Sequence, residues 1–331
     1  MKDLAIFIKD IGFETGVSVS VRHLATVLRE QDIDFDLFWY KDDEELLQAI
    51  EQCDSRCINL QGPSFSDETM EKIRATGKSI VLSIHSTMSH LQVEGDVLTR
   101  LVDWGKKAGK HFKMTCPSKK ETVGLNALSN VEFLYLPNTF SYEIDPAAVK
   151  EEARRKSREM NPIKISLFCD YRPFKNLITQ VAAVIMLSKK YPVELHMFLP
   201  QRPNPLFKNI VSMAEQSGLK LVMHKRMSNR ECFDLIGTMH LGLQISLSEA
   251  FSYVAFEHMI QGVPVIGSHS IPFATRVAKY NDVTHMARCM EGIISSEEQY
   301  QYFALDSMRV ARKIRKRNNN DAIKTIQKII R

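Results

Sequence analysis

The richest stretch for chemistry runs from Ser246 to Ile266: Ser-Leu-Ser-Glu-Ala-Phe-Ser-Tyr-Val-Ala-Phe-Glu-His-Met-Ile-Gln-Gly-Val-Pro-Val-Ile. Small residues at Ser248, Ala250 and Ser252 mark a turn that leads from a strand into a helix. Gly262-Val263-Pro264 then returns the chain to a buried strand. Backbone N–H groups at the start of such a helix carry partial positive charge and favour an anion such as a phosphate. Glu249 lies in the turn, and Glu257 follows about two helical turns later. A carboxylate beside an anion site is unfavourable unless it bonds something else, and sugar hydroxyls are suitable donors. From these residues alone, Glu249 can equally be an N-terminal capping charge and Glu257 a solvated helix residue.

These side chains need a scaffold, and the hydrophobic pattern supplies one. Short β-rich runs alternate with helical stretches along most of the chain, the signature of a doubly wound parallel α/β fold. In the first half, strands are expected at Leu4–Ile8, Phe35–Tyr40, Cys57–Leu60, Ser79–His85, Lys113–Pro117 and Val131–Leu136. Helices are expected near 17–30, 42–52, 67–76, 96–108 and 118–128. The segment 141–162 is rich in charge, poor in large apolar residues and ends at Pro162, so it reads as a link that is compatible with a helix. The alternation then restarts with strands at Ile163–Cys169, Val193–Leu199, Lys220–Lys225, Leu241–Leu247 and Val263–Gly267. From about residue 283 the pattern is purely helical and ends in 307–331. The expected organisation is an N-terminal Rossmann-like domain over 1–140, the linker 141–162, a C-terminal Rossmann-like domain over 163–305 and a basic helical segment, 306–331, that packs back on the first domain. Ligands of such sheets sit at the C-terminal ends of the strands, so a cleft between two such units is the default site.

The run 246–266 resembles the signature of retaining glycosyltransferases of family 4, enzymes of the GT-B architecture with two Rossmann-like domains. The matching positions are Ser248, Glu249, Phe251, Glu257, Met259, Gly262, Pro264, Val265 and Ile266, whereas Ala250 and Ser252 stand where the family has glycines. Phe168-Cys169-Asp170-Tyr171-Arg172-Pro173-Phe174-Lys175-Asn176 resembles the family element whose Arg and Lys hold the donor diphosphate. A leaving diphosphate accumulates negative charge, which cations stabilise. The resemblance thus gives that role to Arg172 and Lys175; two solvated surface cations are the alternative. Asp10-Ile11-Gly12-Phe13-Glu14-Thr15-Gly16-Val17 resembles the family's N-terminal glycine loop, although Gly16 can also serve only a tight turn. His85 matches the family's strand-end histidine near the donor sugar, with a satisfied structural histidine as the alternative. Pro137-Asn138 resembles a Pro-Asn-Gly element with Thr139 in place of the glycine. The resemblance implies that Glu257 bonds the donor ribose. It also implies that Glu249 and the amides of Ala250, Phe251, Ser252 and Tyr253 position the donor sugar and its phosphates.

Composition bounds the rest. The 331 residues carry a net charge of +5, with 44% apolar and 25% charged residues, as expected for a folded chain of about two domains. Residues 1–100 hold 10 Lys and Arg against 18 Asp and Glu, whereas 161–331 hold 23 against 13, which puts the anionic ligand on the C-terminal side. Six scattered cysteines read as reduced thiols of a reducing, cytoplasmic compartment. No apolar run approaches the roughly 18 residues of a membrane span. The Asp-x-Asp triplets in Asp32–Asp36 lead into a strand at its N-terminal end and read as loop charges, so no metal is expected. Arg309, Arg312, Lys313, Arg315, Lys316 and Arg317 form a basic helical run, a solvated face or a contact for an anionic surface, and Lys106, Lys107, Lys110 and Lys113 form a smaller cluster. The expected activity is metal-independent transfer of a hexose or pentose from a nucleotide-diphosphate sugar of UDP or GDP type. The acceptor would be a surface or lipid-linked glycan, or a hydroxylated base in viral DNA. The alternatives are a nucleotide-sugar epimerase of the same architecture and a catalytically silent nucleotide-binding relative.

Overall fold

The structure, a computed structural model, describes residues 2–12, 15–107, 111–128 and 132–331. It divides into two compact units, Met1–Tyr142 with Arg315–Arg331, and Glu143–Ile314. The first unit runs β1 (Leu4–Lys9), α1 (Gly16–Arg29), β2 (Phe35–Tyr40), α2 (Asp43–Gln52), β3 (Cys57–Gln61), α3 (Asp67–Ala75) and β4 (Ser79–Ser83). It continues with α4 (Met88–Leu91), α5 (Val97–Lys106), β5 (Phe112–Cys116), α6 (Lys119–Leu128) and β6 (Phe133–Tyr135). Its strands pair in parallel in the order β2-β1-β3-β4-β5-β6.

Alternate residues of a strand point to opposite faces, and both faces of this sheet are covered, so nearly every residue of β1 is buried. Ala5 and Phe7 enter one core with Ile58, Leu60 and Leu82. Leu4, Ile6 and Ile8 enter the other, against Val21, Leu24 and Leu28 of α1, whose spacing of three to four residues forms one apolar stripe. Ala322, Ile323, Ile326 and Ile329 complete that second core, so the end of the basic C-terminal segment is an integral part of the first unit.

The second unit comprises α7 (Pro146–Arg158), β7 (Ile163–Ser166), a 3-10 turn (Pro173–Lys175), α8 (Leu177–Ser188), β8 (Val193–Phe198), α9 (Pro205–Ser217) and β9 (Lys220–His224). Then follow α10 (Asn229–Gly237), β10 (Leu241–Gln244), α11 (Tyr253–Ile260), β11 (Val265–Gly267), β12 (Arg276–Val277) and α12 (Val283–Ile294). The long α13 (Glu297–Ile330) contributes residues to both units. The sheet is again parallel, in the order β12-β11-β10-β7-β8-β9.

The segment read as a linker is mostly α7. Asp145 caps it, Pro146 occupies the first turn, and Val149 and Ala153 are buried, Ala153 in the core with Ile163 and Ile165. It therefore belongs to the second unit. Gly262 ends α11 with φ +70°, and a Cβ there would lie 2.4 Å from Val149, so this turn requires glycine.

Strand order reverses between β1 and β3 in the first sheet and between β7 and β10 in the second. At such a switch point the loops leaving two neighbouring strands part to opposite faces and leave a crevice at their C-terminal ends. In the second unit those loops are 167–176 and 245–252, which hold the residues singled out above.

Candidate functional site

In the second unit the two switch-point loops are stitched together. Leu247 N–H donates to Phe174 O (2.8 Å), and Gln244 Nε2 donates to Phe168 O (3.0 Å). The buried Gln180 of α8 donates through Nε2 to Lys175 O (2.7 Å) and accepts Ile245 N–H on Oε1 (2.9 Å). Asn176 turns the chain into α8 with a left-handed backbone (φ 52°, ψ 39°), which Asn tolerates better than most residues. Its Nδ2 donates to Tyr280 O (2.7 Å).

This scaffold places Lys175 Nζ 2.5 Å from Glu249 Oε2, with side chains only 11% and 12% exposed. Burying two charges is costly, and such pairs are weak contributors to stability. An ammonium has three donors, and Glu249 takes one of them. Arg172, three residues upstream, is 54% exposed and pairs with Asp170 (3.3 Å) rather than with Glu249. The structure thus unites Lys175 with Glu249, while Arg172 stands on the same loop with a solvated guanidinium.

Ser252 caps α11: its Oγ accepts Ala255 N–H (3.2 Å) and donates to Gln244 Oε1 (3.3 Å). Where a glycine was the expected residue, the serine hydroxyl thus does structural work. No acid occupies the first turn of α11, so its positive end is not neutralised from within the helix. Ala250 and Phe251 are partly exposed, Tyr253 is buried, and the Phe251 ring stacks on Phe273 at 5.0 Å. Glu257 is 2% exposed and accepts from Asn229 Nδ2 (3.2 Å), so it is not a solvated helix residue. Cys169, beside Lys175 in the loop, has its thiol pushed up to about 12 by burial and is no nucleophile at neutral pH.

In the first unit, Gly12 follows β1 with φ +77°, and its N–H donates to Asp10 Oδ1 (2.8 Å). Gly16 opens α1 behind a Thr15–Ser18 capping box. A Cβ at Gly12 or Gly16 would meet nothing within 4 Å. Phe13 and Glu14 of this loop lie outside the described residues, as do Lys110 of the smaller basic cluster and Val131 of the sixth expected strand. His85, just beyond β4, sets Nε2 2.8 Å from Gln61 Oε1, and burial pushes its pKa down to about 4. It lines a cavity of about 20 Å³, room for roughly one water, with Gln61, Ser83, Thr115, Ser20 and Asn138. Asn138 is buried, accepting from Ser20 Oγ (2.9 Å) and, on its carbonyl, from Asn318 Nδ2 (3.1 Å). It thereby ties β6 to α1 and α13.

Several participants were not singled out from sequence. Gln180, Gln244, Asn229 and Gln61 are buried or half-buried polar groups, each with at least one partner far along the chain. The available signal was a polar residue inside an apolar element, such as Gln180 in Leu-Ile-Thr-Gln-Val-Ala-Ala-Val. Among the described residues no group of three or more His, Cys, Asp or Glu is arranged to hold a metal ion. No helix among them is long and apolar enough to cross a membrane.

No family model matches the sequence, and no curated protein matches it either. Solved structures do match. Anabaena HepE in complex with UDP and glucose superposes with a TM-score of 0.75 at 12% identity, over 98% of this chain and 99% of that one. Sucrose-phosphate synthase from Thermosynechococcus elongatus gives 0.76 at 16% identity, over 99% of each chain. Trehalose-6-phosphate synthase OtsA gives 0.67 at 11%, over 98% of each. With two parallel six-stranded sheets and their flanking helices, the chain has the GT-B fold of two Rossmann-like domains.

Proposed function

We propose that the protein is a retaining glycosyltransferase that moves a hexose or pentose from a nucleotide-diphosphate sugar to an acceptor hydroxyl. The observation that carries this is the Lys175–Glu249 pair, nearly buried at the switch point of the second sheet and beside the start of α11. A diphosphate suits the ammonium and the helix end, and sugar hydroxyls suit the carboxylate. In this reading Lys175 and Arg172 stabilise charge on the departing diphosphate. Glu249 and the turn Ala250–Tyr253 position the sugar and its phosphates, and Glu257 bonds the ribose; in the first unit, Gly12, Gly16, His85 and Asn138 are the candidate ligand-binding residues. The UDP, glucose and UDP-glucose in the HepE structures favour a uridine nucleotide as donor. The exposed Arg309, Arg312, Lys313, Lys316 and Arg317 of α13 suit an anionic acceptor or surface.

The test is incubation with UDP-glucose, UDP-galactose and GDP-mannose, with glycan, lipid-linked and hydroxymethylated-DNA acceptors. Released nucleotide and product anomer are the readouts. Transfer with retained configuration, lost in Glu249→Ala, supports the proposal. Sugar interconversion without an acceptor, or inverted product, refutes it.

A further inference from the structure

Four polar side chains lie buried in the middle of the first parallel sheet: Asn59 and Gln61 on β3, Ser83 on β4 and Thr115 on β5. Gln61 pairs in register with Ser83, and Ser83 with Thr115. Asn59 and Gln61 are two residues apart, as are Ser83 and His85, so the set shares one face of the sheet. Burying polar groups is unfavourable unless they bond each other, and apolar residues would fill these positions at lower cost. The bonds form a directed chain. Thr115 Oγ1 donates to Ser83 Oγ (2.9 Å), and Ser83 Oγ donates to Asn59 Oδ1 (3.0 Å). Asn59 Oδ1 also accepts from Gln61 Nε2 (2.6 Å). Because the amide nitrogen of Gln61 is spent on Asn59, the end turned to the imidazole is Oε1, 2.8 Å from His85 Nε2. An amide oxygen can only accept, so Nε2 must carry the proton.

We infer that Gln61, oriented by Asn59, is a positioning residue that holds His85 as its Nε2–H tautomer and leaves Nδ1 as the hydrogen-bond acceptor of the ring. Burial keeps the ring neutral at physiological pH. Resting on the proposed sugar transfer, this assigns His85 the task of accepting a hydrogen bond from a sugar hydroxyl at Nδ1, not donating one. The polar chain runs in that direction across three strands, with Asn59 Nδ2 buried and without a partner among the described residues.

The test reads the tautomer in the full chain without any sugar nucleotide, so it holds whatever the activity proves to be. Long-range proton–nitrogen NMR correlation of the imidazoles, with His85 assigned by comparison with His85→Gln, should show Nε2 protonated and Nδ1 bare at neutral pH. Gln61→Leu should lose the single tautomer, and Gln61→Glu, which keeps an acceptor at that place, should retain protonated Nε2. A proton on Nδ1 in the wild type overturns the inference, since it means that both amides are turned over and the chain runs in the opposite direction. An unchanged tautomer in Gln61→Leu overturns it too. If that variant does not fold, the wild type and Gln61→Glu decide. Once transfer is measurable, Gln61→Leu should lower kcat more than it raises KM, and a silent Gln61→Leu would leave the tautomer without a catalytic use.

Discussion

Lys175, Glu249 and Arg172 separate binding from stability in a way that mutation can read. Lys175→Ala leaves Glu249 with little solvent and without its cation, so it should lower stability by about 3 kcal/mol as well as turnover by about 10²-fold. Arg172 is solvated, and its removal should change stability by less than about 0.5 kcal/mol. If it closes on the diphosphate during reaction, Arg172→Ala should still cost about 10²-fold in turnover. Urea unfolding and steady-state kinetics on both variants give the contrast, and wild-type turnover in Arg172→Ala would remove that residue from the reaction. The sequence marked these residue types and their order. It did not mark the pairing of Arg172 with Asp170, because two loop side chains choose partners by rotamer and solvation rather than by spacing.

Among the elements, Gln180 bridges the loops 167–176 and 245–252, alongside the Leu247–Phe174 and Gln244–Phe168 bonds. Gln180→Leu removes three side-chain hydrogen bonds, to Lys175 O, Asn176 O and Ile245 N–H, so it should destabilise the chain by about 1–3 kcal/mol and weaken donor binding. Calorimetric unfolding and nucleotide titration of the variant measure both, and intact donor affinity would show that the loops hold their geometry without it. The strands that alternate with helices were legible because each is a short apolar run ended by turn residues, as in Phe35–Tyr40 and Lys220–His224. What escaped was short or carried by distant partners. The two-residue β12 and the single turn α4 have no periodicity to detect. α13 begins at Glu297, inside the stretch expected to be helical, and runs unbroken through the basic segment. The charged 141–162 looked like a linker because Val149 and Ala153 are the only buried apolar residues of α7, beside the buried Lys156 and Ser157.

On the scale of the whole molecule, buried histidines should make the protein acid-sensitive. His23, His85, His240 and His258 are each pushed down to about 4 by burial. Each stays neutral when folded and takes up a proton on unfolding once the pH falls below the ordinary value of about 6.5. Their contribution is therefore fully present above that value and is lost as the pH falls toward 4. Tm should drop steadily from pH 6.5 to 4.5 in scanning calorimetry, and a flat profile would contradict this account of the cores. If Lys175, Arg172 and the start of α11 carry the diphosphate charge, no divalent ion is needed, and transfer should proceed unchanged in excess EDTA; full inhibition would show that a metal shares that charge. The claim beneath all of this is that the Lys175–Glu249 pair receives a sugar nucleotide. Isothermal titration of UDP and UDP-glucose into the wild type and Lys175→Ala, both shown to be folded, tests it most directly. The account predicts saturable binding at one site per chain, weakened at least tenfold in Lys175→Ala, whereas equal affinity in the two proteins, or heat of dilution alone in both, would contradict it.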